Sequence, residues 1–172
     1  IASINHGKNA KYFIETLGCQ MNEADSEQLA GMLTDMGYSE TEDISSADII
    51  VINTCCVREN AEFKLYGHIG ELKALKQNNK DLLIVLCGCM MQQSHVVDKI
   101  KKSYKQIDIV FGTHNRQEFP KLLFDRINKG KKVYDIWEES IGIAENVPVK
   151  RKSAVTAYVP VTYGCDNFCS YC

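Results

Sequence analysis

The chain has 172 residues, of which 45% are hydrophobic and 24% are charged, and its formal net charge is −2. This composition is typical of a globular protein and excludes the disordered, collagen-like and low-complexity classes. The longest apolar run, residues 82–87, is far shorter than the roughly 18–20 residues of a membrane span, and no secretory signal is visible after Ile1.

The first half of the chain alternates strand and helix patterns. Lys11–Thr16 predicts a strand, and Asn22 or its neighbours can cap the helix that follows, for which Gly37 is a suitable stop. Asp48–Asn53 carries the unbroken apolar run of a strand that is buried on both faces. Apolar residues at helical spacing then predict a second helix over Glu59–Lys76.

The second half continues this alternation. Leu82–Cys87 and Ile107–Phe111 predict two more buried strands, and Gln92–Lys102 predicts a short amphipathic helix between them. Arg116–Asn128 predicts a helix that tolerates its early proline only in the first turn. Lys132–Ile136 is expected to form an edge strand.

This order of elements predicts a doubly wound, flavodoxin-like α/β domain with a mainly parallel sheet of about five strands, over residues 11–136. Residues 1–10 are expected to be disordered or tag-like, and residues 137–153 to form a linker. Residues 154–172 are expected to begin another domain, whose first strand is the apolar stretch Ala154–Thr162.

Charge is distributed unevenly along the chain. Residues 12–57 contain no Lys or Arg but nine Asp or Glu, whereas residues 99–132 contain ten Lys or Arg and three acids. A basic segment of this kind permits a positive face for phosphate backbones. In the alternative interpretation, the solvated side of a helix simply carries Lys99, Lys101, Lys102 and Lys105.

Clustered cysteines in a chain without a secretory signal indicate metal or redox chemistry. Cys19 follows the first predicted strand, Cys55 and Cys56 follow the second, and Cys89 follows the third. Because the carboxyl ends of parallel strands meet at one edge of a sheet, we expect these thiols to converge there, near helix N-termini. Convergent thiolates favour iron–sulfur clusters or zinc, and scattered buried cysteines are the alternative. Spacing alone does not exclude Cys87 as a ligand.

The strongest motif is Cys165-Asp-Asn-Phe-Cys169-Ser-Tyr-Cys172. Three thiols in one loop are one short of the four that an iron–sulfur cluster takes from protein, which leaves one iron open. A zinc site lacks a fourth ligand here, and a disulfide leaves one thiol over. The spacing resembles that of the radical S-adenosylmethionine (SAM) enzymes, as does the aromatic Tyr171, which is a candidate SAM contact.

Four further motifs extend this resemblance over residues 11–172 to the N-terminal half of the radical-SAM methylthiotransferases. They are Thr16-Leu-Gly-Cys19-Gln-Met-Asn22, Asn53-Thr-Cys55-Cys-Val-Arg58-Glu-Asn-Ala61, Gly88-Cys89-Met-Met-Gln92 and Phe111-Gly-Thr-His-Asn115. The resemblance implies two [4Fe–4S] clusters and SAM as cofactors. The implied ligands are Cys19, Cys55 and Cys89 for an auxiliary cluster, and Cys165, Cys169 and Cys172 for the radical-SAM cluster.

The motif around Cys165 and the Arg58-Glu-Asn-Ala61 sequence are similar to the branch of the family that modifies isopentenylated tRNA. The resemblance implies methylthiolation at carbon 2 of N6-isopentenyladenosine next to the anticodon, in the cytoplasm and without a membrane. Implied partners are tRNA, a reductase or flavodoxin-type electron donor, and a sulfur donor. The resemblance implies that residues 154–172 begin a radical-SAM barrel, of which the rest would lie beyond Cys172 together with an RNA-binding domain. We therefore expect an inactive fragment that lacks most of the tRNA contacts.

Other functions remain open at this point. Within the family, the substrate could be a threonylcarbamoyl-adenosine tRNA or an aspartate of a ribosomal protein. A non-enzymatic flavodoxin-like redox module would need a phosphate-cradling first loop, and Leu17-Gly-Cys-Gln-Met is a poor one. A zinc-binding interaction domain is a further alternative. No catalytic residue is identified, and the roles of Cys56, Cys87, His114 and Arg58 are left open.

Overall fold

The structure of the protein, a computed structural model, describes residues 9–56, 61–140, 142 and 146–159. The strands are β1 Lys11–Leu17, β2 Ser39–Glu40, β3 Ile49–Thr54, β4 Leu83–Gly88, β5 Ile109–Phe111 and β6 Val133–Asp135. The α-helices of this part of the chain are α1 Gln20–Asp35, α2 Ala61–Asn78, α3 Ser94–Ser103 and α4 Phe119–Lys129. Short 3-10 helices cover Ile44–Ser46, Cys89–Gln92 and Arg116–Glu118.

The six strands form one parallel sheet in the order β2-β1-β3-β4-β5-β6. This is the strand order of flavodoxin-like proteins with one strand added beside β5, which confirms the predicted doubly wound domain. The chain reverses its direction of winding between β1 and β3. In open α/β sheets, ligands bind at the carboxyl ends of the strands beside such a reversal.

Helices cover the sheet on both faces, which explains the unbroken apolar runs of its central strands. Val51 and Val85 pack with α1 and α4 on one face, and Ile52 and Leu86 pack with α2 and α3 on the other. Each fully buried aliphatic side chain of this kind contributes about 1.5–3 kcal/mol. The two layers therefore fix the central strands, whose carboxyl ends carry the cysteines.

Two predicted helices are each divided in the structure. In the stretch predicted as Gln92–Lys102, Gln93 has an extended backbone and separates a 3-10 turn from α3. In the stretch predicted as Arg116–Asn128, a 3-10 turn precedes α4, whose first turn contains Pro120 as expected. The first 3-10 turn directly follows β4, and the second follows the loop after β5, so both lie at the carboxyl edge of the sheet.

The segment that follows the sheet returns along α1. The backbone N–H of Lys150 donates to the carbonyl oxygen of Glu27 at 2.9 Å, and the N–H of Lys152 donates to the Glu27 carboxylate at 3.1 Å. Residues 154–159 form no strand, and the side chain of Val155 is 96% exposed. The remainder of the expected strand Ala154–Thr162 lies outside the described residues. Among the described helices, none has the length and hydrophobicity needed to cross a bilayer.

Candidate thiol site at the carboxyl edge of the sheet

Three neighbouring strands end level with one another at the carboxyl edge. Leu17 of β1 pairs with Thr54 of β3, and Thr54 pairs with Gly88 of β4. Cys55 and Cys89 follow their strands directly, and Cys19 follows β1 after one glycine. Since adjacent strands lie about 4.8 Å apart, three thiol-bearing loops leave the sheet side by side at the point where its winding reverses.

Cys19 is exposed and forms the N-cap of α1. Its backbone N–H donates to Oδ1 of Asn22 at 3.1 Å, and its Sγ lies 3.3 Å from the same oxygen. The sulfur of Cys19 therefore lies at the N-terminus of α1.

Cys55 is buried, and its backbone N–H donates to the carbonyl oxygen of Leu17 at 3.0 Å. Cys89 is half-buried, and its Sγ accepts a hydrogen bond from the backbone N–H of Cys56 at 3.1 Å. The thiol of Cys89 also donates to the carbonyl oxygen of Thr54 at 3.6 Å. Burial is the main cause that raises the pKa of the Cys89 thiol, and the neighbouring thiols of Cys56 and Cys55 raise it further. The Cys89 sulfur is thus in contact with the loop that carries Cys55.

Glycines allow these loops to approach one another. Gly88 has φ +98°, and a Cβ on it would lie 2.2 Å from the carbonyl oxygen of Thr54. A Cβ on Gly18 would lie 2.2 Å from Oδ1 of Asn22. A side chain at either position would displace backbone or the buried amide, so both glycines are required by the packing at this edge.

A buried polar network supports the loops from beneath. The Asn22 amide nitrogen donates to Asn53 Oδ1 and to the Thr54 carbonyl oxygen, each at 3.1 Å. Asn53 in turn donates to the carbonyl oxygen of Asn22 at 2.8 Å and to Ser26 Oγ at 3.0 Å. The sequence indicated Asn22 only as a helix cap and gave no role to Asn53. The available signal was a single amide at the end of an otherwise apolar strand, which requires buried partners.

The other two described cysteines lie differently. Cys87 is buried in the core on the α1 and α4 face, its thiol donates to the Ile52 carbonyl oxygen at 3.8 Å, and burial raises its pKa. Cys56 is half-buried against the core on the opposite face. The thiol of Cys87 thus packs as a small core residue, whereas Cys56 contributes its backbone N–H to Cys89.

The Phe111–Asn115 motif lies at the same edge and holds β5 to β6. Asn115 accepts the N–H of Gly112 at 3.2 Å and donates to the carbonyl oxygen of Asp135 at 2.7 Å. His114 is half-buried, and its carbonyl oxygen accepts a bond from Gln117 at 3.4 Å. These contacts give the motif a structural role at the carboxyl edge.

The described residues contain no group of three or more His, Cys, Asp or Glu side chains that could hold a metal ion. A [4Fe–4S] cluster makes a different demand, because each of its thiolate ligands binds a different iron. Cys19, Cys55 and Cys89 carry the thiol chemistry of such ligands, and they follow three adjacent strands at one edge of the sheet. The described residues do not include Arg58, Cys165, Cys169, Tyr171 or Cys172.

Comparison with known protein families shows the family to which this chain belongs. The model of "Uncharacterized protein family UPF0004" matches residues 11–112, more than half of the chain. The chain belongs to this family. The matched range begins with β1, ends directly after β5 and contains the loops of Cys19, Cys55 and Cys89.

Curated relatives match almost the whole chain. Proteins named tRNA-2-methylthio-N(6)-dimethylallyladenosine synthase from Acetivibrio thermocellus and Alkaliphilus oremlandii are each 54% identical to it over 98% of its length. The protein of that name from Clostridium tetani is 52% identical over 100% of the chain. The matches cover 35%, 36% and 38% of these relatives, so the chain spans about a third of their length. The resemblance to the methylthiotransferases expected from the motifs is confirmed.

Proposed function

We propose that the chain forms part of a tRNA methylthiotransferase that modifies carbon 2 of N6-isopentenyladenosine next to the anticodon. The observation that carries this proposal is the level arrangement of the three cysteine loops beside the reversal of winding. It is supported by the names of relatives that are 54% identical over 98% of the chain.

In this proposal Cys19, Cys55 and Cys89 hold an auxiliary [4Fe–4S] cluster. Cys165, Cys169 and Cys172 hold a second one with SAM, and Tyr171 is a candidate SAM contact. When bound, these cofactors supply the radical chemistry that an unactivated aromatic C–H bond requires and that side-chain acids and bases do not provide.

The chain's own residues prepare the site. Cys19 lies at the N-cap of α1, and the backbone N–H of Cys56 donates to the Cys89 sulfur at 3.1 Å. Three cysteine ligands leave one of four protein ligand positions open at each cluster. tRNA, the electron donor and the sulfur donor remain predicted partners, and a cytoplasmic location remains a prediction.

The test is the iron and sulfide content after anaerobic reconstitution of the full chain. A background with Cys165, Cys169 and Cys172 replaced by Ala isolates the auxiliary cluster, for which about four irons per chain are expected. In that background Cys19→Ala should bind almost no iron. Cys56→Ala is the matched control, because Cys56 lies beside the site and is not assigned as a ligand. If Cys19→Ala binds as much iron as its background, the proposed site is wrong.

A further inference from the structure

Two buried asparagines make two matching bonds at the carboxyl edge of the sheet. Asn22 Oδ1 accepts the backbone N–H of Cys19, three residues earlier, and its Nδ2 donates to the carbonyl oxygen of Thr54 at the end of β3. Asn115 Oδ1 accepts the N–H of Gly112, also three residues earlier, and its Nδ2 donates to the carbonyl oxygen of Asp135 at the end of β6. Each amide thus fixes the loop after one strand to the end of the neighbouring strand.

The two amides differ in what their loops carry. The loop held by Asn22 contains Cys19, whose Sγ lies 3.3 Å from the Asn22 oxygen. The Thr54 carbonyl oxygen that accepts the bond from Asn22 also accepts the thiol of Cys89 at 3.6 Å. Asn22 and Thr54 therefore connect the sulfur beside β1 to the sulfur beside β4 through a continuous chain of contacts.

Burial makes this connection rigid. Asn22 is 3% exposed, and Asn53 donates to its backbone carbonyl oxygen and accepts from its amide. The amide therefore has one orientation, with its oxygen toward Cys19 and its nitrogen toward Thr54. The bond from the Cys19 backbone N–H to Asn22 and the bond from Asn22 to the Thr54 carbonyl oxygen involve no thiol proton, so they persist when cysteine ligands lose theirs to a bound cluster.

We propose that Asn22 is a positioning residue that sets the place of Cys19 relative to Cys89 before a cofactor binds. The proposal rests on the proposed function, because it takes these two cysteines as ligands of one cluster. Residues that hold ligands in place from outside the coordination shell typically change metal affinity 10–100-fold when they are removed. A ligand set held in place in advance also loses less conformational entropy on binding.

The test compares Asn22→Ala with Asn115→Ala in the full chain, with Cys165, Cys169 and Cys172 replaced by Ala. Both substitutions remove a buried amide that joins two strand ends, so both should lower the thermal midpoint. Asn22→Ala should lower it more, because it also removes the bond to the buried Asn53 Oδ1. Iron loss to a chelator under anaerobic conditions should be about 10–100-fold faster for Asn22→Ala than for the background. For Asn115→Ala it should stay near the background rate, and the electron paramagnetic resonance spectrum of the reduced cluster should change only for Asn22→Ala.

A Cys19→Ala variant in the same background distinguishes a failure of the positioning role of Asn22 from a failure of the proposed function. If Cys19→Ala binds no iron but Asn22→Ala releases iron no faster than Asn115→Ala, the positioning role is overturned and the proposed function stands. If Cys19→Ala keeps its iron, the proposed function itself fails. Should Asn22→Ala not fold, Asn22→Ser keeps a polar group in the network but is too short to reach Thr54, and the same rates decide.

Discussion

The side chains of Asp25 and Arg116 form a buried ion pair at 2.6 Å near the thiol site. Arg116 also donates to Gln28 at 2.9 Å, so its charge has two partners inside the protein. Burial raises the pKa of Asp25 above its ordinary value of 3.8, and the opposing effect of Arg116 is smaller. Keeping the Asp25 carboxylate ionised inside the protein therefore costs free energy of desolvation, as is typical of buried ion pairs.

Breaking this pair on one side should be far more harmful than replacing it whole. Arg116→Met leaves the Asp25 carboxylate buried without a cation, and we expect a loss of about 3–5 kcal/mol in the free energy of unfolding by urea. The double variant Asp25→Leu/Arg116→Met should lie close to the wild type. A double variant that is as unstable as the single one would contradict this account.

The same pair predicts a pH dependence. Because the folded pKa of Asp25 lies above its unfolded value, the folded state binds this proton more tightly. The stability that Asp25 contributes is therefore present below about pH 3.8 and is lost as the pH rises through the raised folded value. Relative to the double variant, the wild type should become less stable over that range.

At the scale of elements, unbroken apolar runs made the long strands predictable. The predicted strands Asp48–Asn53 and Leu82–Cys87 differ from β3 and β4 by only one residue at each end. They were predicted well because an unbroken apolar run of this length fits a strand that is buried on both faces of the sheet. The strand β2 was missed because its two residues, Ser39 and Glu40, are polar and exposed. β2 is held by backbone hydrogen bonds from Ser39 to the carbonyl oxygen of Ala10 and from Thr41 to that of Tyr12, and no pattern in the sequence predicts these bonds.

The candidate site was predictable only in part, for a related reason. Placing Cys19, Cys55 and Cys89 at one edge needs only the order of strands and loops. The bonds of Asn22 to Asn53 and Thr54 depend on the register between β1 and β3. A slip of one residue in β3 would turn the Asn53 side chain to the other face and displace the Thr54 carbonyl oxygen, and register is set by the packing of the whole sheet.

Helix α1 illustrates how one element depends on another. Asn22 and residues 24–33 are buried, because the sheet, Arg116 and the returning segment each cover part of the helix. Gly31 lets that segment approach, since a Cβ there would lie 2.3 Å from the carbonyl oxygen of Pro148. Lys150 then reaches Glu27 through its backbone and Glu40 through its side chain, at 2.7 Å.

We therefore predict that Gly31→Ala displaces this segment from α1. Overpacking of this kind typically costs about 1–3 kcal/mol, and trypsin should cleave after Lys150 or Arg151 faster than in the wild type. Gly67→Ala in α2 is the control, because a Cβ there meets nothing within 4 Å. It should raise the unfolding free energy by about 0.5–1 kcal/mol and leave the cleavage rate unchanged. Equal cleavage rates in the two variants would show that the contact with Pro148 does not hold the segment.

At the scale of the whole molecule, the strand order converts the uneven charge of the chain into two differently charged sides. The acidic residues 12–57 build β1, α1, β2 and β3, whereas the basic residues 99–132 build the end of α3, β5 and α4 on the other side of β4. Burial lowers the pKa of Lys132, and the nearby charges of Lys105, Lys76 and Arg126 lower it further against the opposing effect of Asp108. Positive charge is therefore crowded where β5 and β6 begin.

This basic side is partly committed to internal contacts. Lys76 and Arg126 bind the buried Asp108 at 2.8 and 2.7 Å and so join helices from opposite faces of the sheet. Lys99 lies over the ring of Tyr66 at 3.6 Å. Lys102 and Lys105 are exposed near the end of α3, where Lys105 also donates to the carbonyl oxygen of Lys101 at 2.7 Å, and this pair tests contact with a phosphate backbone.

If tRNA contacts this side, Lys102→Gln/Lys105→Gln should weaken tRNA binding by the full chain in filter-binding assays. Each lost phosphate contact should reduce the slope of log K against log salt by about 0.7–0.9, because fewer counterions are released. Lys64→Gln/Lys73→Gln on α2 is the matched control, since it removes the same charge from exposed positions outside the basic segment. Similar losses from both pairs would mean that net charge alone acts, and a loss confined to the first pair would place RNA on the basic side.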